Sequence, residues 1–137
     1  MRHTLIIFVI YHLISCNSSA EKQQKATEYI AVYKSDTAYL SIQMTKNKFY
    51  GTLKILNRGT SHDYGMIEGD IHNDSLIGTY YYQPYRAKDK KRKAFALLKT
   101  SEGFIEGNGL QKVYMGIPSY IPESLSFNNA KFIFIKK

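Results

Sequence analysis

The chain predicts an all-β fold, an antiparallel meander of about eight strands closing into a small up-and-down barrel or a strongly curled sheet. Three observations carry this expectation. From Tyr29 onward apolar residues recur with period two rather than 3.6, as half-buried strands require. Short polar segments with turn chemistry separate the apolar runs. Glycines recur inside the runs at Gly51, Gly69, Gly78 and Gly107, where they weaken a strand but permit the bends a small curled sheet needs. Between Tyr29 and Lys137 no clear amphipathic helix interrupts the pattern.

Taken in order, the first element is a leader rather than a strand. Arg2 and His3 precede an apolar stretch, Thr4 to Ile10 with Leu13-Ile14, interrupted by Tyr11 and His12. Such a stretch has the ~7–15 residues of an export signal and falls short of the ~20 that span a bilayer. It ends Leu13-Ile14-Ser15-Cys16, which resembles the lipobox of bacterial lipoproteins. The resemblance implies that Cys16 carries a diacylglycerol on its thiol, that residues 1–15 are removed, and that the new amino group is acylated as well. Several acyl chains hold a protein durably where a single one holds it marginally. Residues 16–28 then comprise the lipidated cysteine and a tether, since Asn17 to Lys25 is polar and suited to a flexible link. The expected location is the bacterial cell envelope, lipid-anchored at the outer membrane, with its facing left open. Cys16 is the only cysteine, so no intramolecular disulfide forms.

Residues 29–137 are expected to form one domain. Its first strand lies near Tyr29 to Lys34. In the second, Ala38, Leu40, Ile42 and Met44 take one face and Tyr39, Ser41 and Gln43 the other. Lys46-Asn47-Lys48 makes a hairpin connection to a third strand whose core face is Phe49, Gly51, Leu53 and Ile55. Gly65 to Ile71 follows, then His72-Asn73-Asp74-Ser75 as a turn, because Asn and Asp tolerate left-handed backbone angles. Leu76 to Tyr82, Lys93 to Lys99, Phe104 to Leu110 and Lys131 to Lys136 complete the set, although Asn108-Gly109 could instead be a turn. Lys112 to Asn129 lacks alternation. It is expected to plug or cover one end of the barrel, or to hide a short strand around Leu125 to Phe127.

Ile67-Glu68-Gly69-Asp70, Asp74-Ser75-Leu76-Ile77-Gly78-Thr79-Tyr80-Tyr81-Tyr82, Arg92 to Lys99, Glu106-Gly107-Asn108-Gly109 and the ending Phe132-Ile133-Phe134-Ile135-Lys136 together resemble small uncharacterised lipoproteins of Bacteroidota. That resemblance spans most of Gly65 to Lys137 together with the leader. It implies a phylum and an anchor, and it brings no catalytic residues with it.

Size and charge bound the function. A chain of 137 residues has room for one domain beside a leader, and a second enzymatic domain is excluded. The net charge of +8 favours anionic partners such as phosphate-bearing lipid head groups or acidic polysaccharide. Ser61-His62-Asp63 has the letters of a hydrolase triad, but consecutive residues cannot face one another, and it reads as loop. His62 and His72 without cysteine ligands make a poor zinc set. Glu68 and Asp70 share a strand face, with Ile67, Gly69 and Ile71 on the other, so the carboxylates belong to the solvated side. Tyr80 and Tyr82 point one way and Tyr81 the other, which places an aromatic ring outside, near Tyr85.

The segment from Arg86 to Lys93 gathers Arg86, Lys88, Lys90, Lys91, Arg92 and Lys93 around the single acid Asp89, and these are the candidate anion-binding residues. No catalytic residue, metal or cofactor is expected. The sequence points to a membrane-anchored envelope module that binds a ligand or partner, with a lipocalin-like carrier as its concrete version. The alternatives are an inhibitor of a wall-degrading enzyme and an enzyme acting on envelope glycans. The expected partners are the membrane through its anchor and an anionic lipid or polysaccharide, with no specific nucleic acid; the oligomeric state stays open.

Overall fold

A computed structural model describes residues 25–137, so the expected leader and Cys16 lie outside the described residues. Strands β1 (Thr27–Tyr33), β2 (Asp36–Met44), β3 (Lys48–Asn57), β4 (Ser61–His72), β5 (Ser75–Gln83), β6 (Lys91–Lys99), β7 (Gly103–Glu106) and β10 (Ile133–Lys136) close into an antiparallel barrel. Successive strands pair in chain order, β7 pairs with β10, and β10 closes the ring on β1 through Tyr29 opposite Lys136 and Ile30 opposite Ile135. A separate hairpin, β8 (Gln111–Tyr114) and β9 (Ile117–Tyr120), precedes a single 3-10 turn at Pro122–Ser124.

The period-two pattern sorts side chains as expected. Leu40, Ile42, Leu53 and Phe95 are buried, and Leu40, Leu53 and Gly65 face one another across β2, β3 and β4. Rings occupy the axis. Phe49, Tyr80, Phe95, Phe104, Phe132 and Phe134 are all fully buried, and the Tyr80 hydroxyl donates to the Leu53 carbonyl at 2.9 Å. Eight strands leave an interior only wide enough for side chains, and here aromatic ones take it. Three surface depressions, of about 230, 450 and 460 Å³, lie on the outer wall or at the barrel's two ends. The outer wall is mixed, with Ser41, Thr52, Lys54 and Glu68 beside the exposed Val32, Met66, Ile133 and Ile135. Gly69 and Gly78 face each other across β4 and β5, where a Cβ on either would come within 2.6 Å of the other's Cα. Only glycine allows that approach, and it curls the wall at this point.

Several boundaries depart from the sequence expectation: β1 begins at Thr27 and β6 at Lys91, so Lys91 and Arg92 are strand rather than loop. β4 begins at Ser61 rather than Gly65, so Ser61-His62-Asp63 is strand and not loop. β7 stops at Glu106, short of Leu110, and β10 begins at Ile133. Most of all, Lys112 to Asn129 is no end plug. It carries β8 and β9, with β9 lying against the outer wall of β6 and β5, and near Leu125 to Phe127 it forms only a bridge between Ser126 and Asn108. The reason lies in β6. Its partner β7 is too short to cover it, and the free Ala94 N–H is met by the Gln111 side-chain oxygen at 3.0 Å. The outward residues Thr79, Ala94 and Ala96 are small and buried, which lets the segment lie close.

Candidate functional site

An up-and-down barrel sends alternate connections to opposite ends. At the entry end lie the start of β1 and the β2–β3, β4–β5 and β6–β7 connections. At the far end lie Lys34-Ser35, Arg58-Gly59-Thr60 and the β5–β6 loop from Pro84 to Lys90. The residues singled out as anion-binding therefore sit on the far rim, joined there by two basic residues the sequence reading left aside.

Lys34, Arg58 and Arg86 each hold a left-handed backbone, with φ of 53°, 52° and 58°. A side-chain-bearing residue in that region costs about 1 kcal/mol, and turn chemistry would favour Asn or Gly. Three basic residues accept that strain on one rim. The β5–β6 loop is itself held down: the Tyr85 N–H donates to the Asp63 carboxylate at 3.1 Å, the Ala87 N–H to the Pro84 carbonyl at 3.1 Å, and the Gln83 amide to the Ala87 carbonyl. The loop thus caps β4 rather than waving free, and with His62 and Tyr64 it frames the depression of about 460 Å³.

Tyrosines back the cations. Arg86 lies 5.2 Å from the Tyr85 ring centre, while Lys90 and Arg92 lie 5.5 and 5.0 Å from that of Tyr81. Lys93 approaches the stacked rings of Tyr80 and Tyr82 at 5.6 and 5.9 Å. Register explains the division: Arg92 opposes outward Tyr81, whereas Lys93 opposes Tyr80 and Lys91 opposes Tyr82, so both lysines share the inner face. Lys88 borders the depression at the loop. Such contacts orient a cation without neutralising it.

Of the acids at this end, Asp89 stands exposed in the loop itself and Asp63 accepts the Tyr85 N–H, while Glu106 is half-buried and Asp36 is paired. Glu106 opposes the core residue Leu97, and burial pushes its carboxyl upward despite the pull of Lys93 and Lys131. Asp36 takes the Lys131 ammonium at 2.8 Å and the Arg58 N–H at 3.1 Å; the Lys131 bond first, then that of Arg58, hold its carboxyl below the usual range. Glu106 was legible in principle, since period two puts it on the face of Phe104. Lys34, Asp36 and Arg58 reach this end because successive strands pair antiparallel in chain order, and Lys131 reaches Asp36 because β10 pairs with β1 and closes the ring.

The remaining candidates do not converge. Glu68 and Asp70 stand exposed on the outer wall, with Asp70 paired to Lys48 at 2.7 Å. His62 lies six residues from Glu68 along β4, ~20 Å away. His62 and His72 occupy opposite ends of that strand, and no group of three or more metal-ligating side chains occurs among the described residues. Cys16 lies outside the described residues. No helix among these is long and apolar enough to cross a membrane. Compared with protein-family models, curated proteins and solved structures, the chain matches none.

Proposed function

We propose that this chain is a lipid-anchored, non-catalytic binding module of the bacterial envelope, of the kind found in Bacteroidota, that engages phosphate-bearing head groups or an acidic polymer through its far rim. The observation that carries the reading is the strained basic set. Lys34, Arg58 and Arg86 stand in left-handed turns beside Lys88, Lys90, Lys91, Arg92 and Lys93, at an end where Asp36 is paired, Glu106 is half-buried and Asp89 is the one acid within the basic loop. Backbone strain retained at several positions of one surface points to a use for the side chains there. An interior occupied by aromatic rings favours binding at the surface over carriage within.

Two measurements test the reading separately. Replacing Cys16 with Ala should abolish acylation and move the protein from the membrane to a soluble fraction. Continued incorporation of labelled fatty acid would remove the anchor. Binding of the protein to anionic vesicles and to an acidic polysaccharide should fall as salt rises, because exposed charges are screened within a Debye length. Binding indifferent to salt would remove the rim.

A further inference from the structure

The β8–β9 hairpin carries the four most exposed large apolar side chains of the described residues: Leu110 (68%), Val113 (69%), Tyr114 (75%) and Met115 (84%), with Ile117 half in solvent beside them. Its apex is Met115-Gly116, with φ of 49° and 78°, the backbone of a two-residue type I′ turn. Asn or Gly suits the first of those positions, and a methionine there is strained. Strain and exposure fall on one residue, and an apolar one.

The surroundings are basic. No acidic residue lies between Glu106 and Glu123, and Lys112 stands on the hairpin itself. The chain reaches β8 running toward the far rim: the Gly107 N–H donates to the Ala96 carbonyl at 2.9 Å, and Gln111 then accepts from Ala94. That direction points the hairpin tip toward the end of the barrel that carries Lys90 and Arg92. An apolar and aromatic point, backed by cations and free of acids, matches the interface of an anionic phospholipid bilayer. Aliphatic side chains enter the acyl boundary, a tyrosine hydroxyl stays at head-group level, and lysine and arginine reach the phosphates.

We infer that the β8–β9 hairpin is a bilayer-insertion finger, with Tyr114, Met115 and Ile117 entering the lipid and Lys112, Lys90 and Arg92 contacting phosphate. This rests on the proposed membrane anchoring and gives the barrel a second hold. The two holds can share one bilayer. The chain from Cys16 to Thr27 reaches ~36 Å at full extension, more than the ~30 Å length of a nine-residue strand, so a barrel anchored at its entry end can still lay its far rim on the lipid.

The chain lacks tryptophan, so Tyr114→Trp makes the finger's indole the sole reporter, and Tyr39→Trp on the outer wall of β2 serves as control. Each full-length variant is mixed with an excess of anionic phospholipid vesicles carrying acyl-brominated lipid, with Cys16 intact and again with Cys16→Ala. Insertion predicts a blue shift and loss of emission for the Tyr114→Trp reporter but not for the control. Adding Met115→Asn and Ile117→Ser should restore the emission, and Met115→Asn alone should leave thermal stability equal or higher because it relieves the turn. Flotation of the Cys16-intact chain reports the anchor independently, so loss of flotation and loss of quenching are separate results. Equal quenching of the two reporters, or none at the finger, overturns the inference. A blue shift that needs no lipid and grows with protein concentration would overturn it in favour of self-association.

Discussion

The two ends of the barrel are built by different rules. At the entry end two ion pairs form, Lys48 with Asp70 at 2.7 Å and Lys137 with Glu28 at 3.9 Å, and the left-handed turn residue is Asn73, which accepts that conformation. Exposed pairs of this kind are worth at most about 1 kcal/mol, and the end does little beyond closing the sheet. At the far end left-handed positions go to Lys34, Arg58 and Arg86, Asp36 pairs with Lys131, Glu106 is half-buried, and cations rest on tyrosines. One end obeys turn chemistry; the other departs from it in the same direction three times. A fold tolerates such departures where the side chain has work outside the fold, and this asymmetry is what supports the far rim as the proposed binding surface.

The strongest test asks whether both ends share one core. Leu53→Ala, midway along β3, should cost about 2–5 kcal/mol and unfold both ends in a single transition, while outward Thr52→Ala should cost little. Denaturant titration followed by circular dichroism and tyrosine emission checks this, and two separate transitions would split the molecule. Next, changing Lys90, Lys91 and Arg92 together to Ser should weaken binding to anionic vesicles at low salt by roughly 100-fold, at about 1 kcal/mol per charge. The matched entry-end set, Lys46, Lys99 and Lys136 to Ser, should have much less effect. Equal losses measured by sedimentation would erase the distinction between the ends.

Smaller effects probe the turns. Lys34→Asn, Arg58→Asn and Arg86→Asn should each stabilise by roughly 0.5 kcal/mol while weakening anion binding, and Asn73→Lys should cost a similar amount with no effect on binding. Thermal melts of the four variants decide it, and a destabilised Arg86→Asn would mean that the loop needs its arginine structurally. The smallest effect concerns Glu106. Burial raises its pKa in the folded chain above the ordinary 4.5, so its contribution is fully present below that value and lost as pH rises through the folded one. Glu106→Gln should therefore melt nearer to the parent at about pH 4 and gain on it toward neutrality; a difference independent of pH would place the carboxylate in water.

Much of the wall was legible because alternation is local. Each strand's own residues fix which of its faces is apolar, so Leu40, Ile42, Leu53 and Phe95 fall inside, Glu68 and Asp70 outside, and Tyr81 opposite to Tyr80 and Tyr82, as the pattern requires. The segment after Glu106 was harder to read. A signal did exist in Ala94-Phe95-Ala96-Leu97-Leu98, apolar on both faces, as a strand covered on both sides must be. What covers it depends on the short β7, which alternation does not announce.

The six cations from Arg86 to Lys93 were visible as a run, since a run is a property of consecutive residues. The rim was not visible. Lys34, Asp36 and Arg58 are scattered through the chain and share the end of the β5–β6 loop because successive strands pair in order, and Lys131 joins them because β10 pairs with both β7 and β1 and closes the sheet. Periodicity sets the inside and outside of each strand, but the neighbours around a ring follow from strand number and register, which only pairing between distant segments determines.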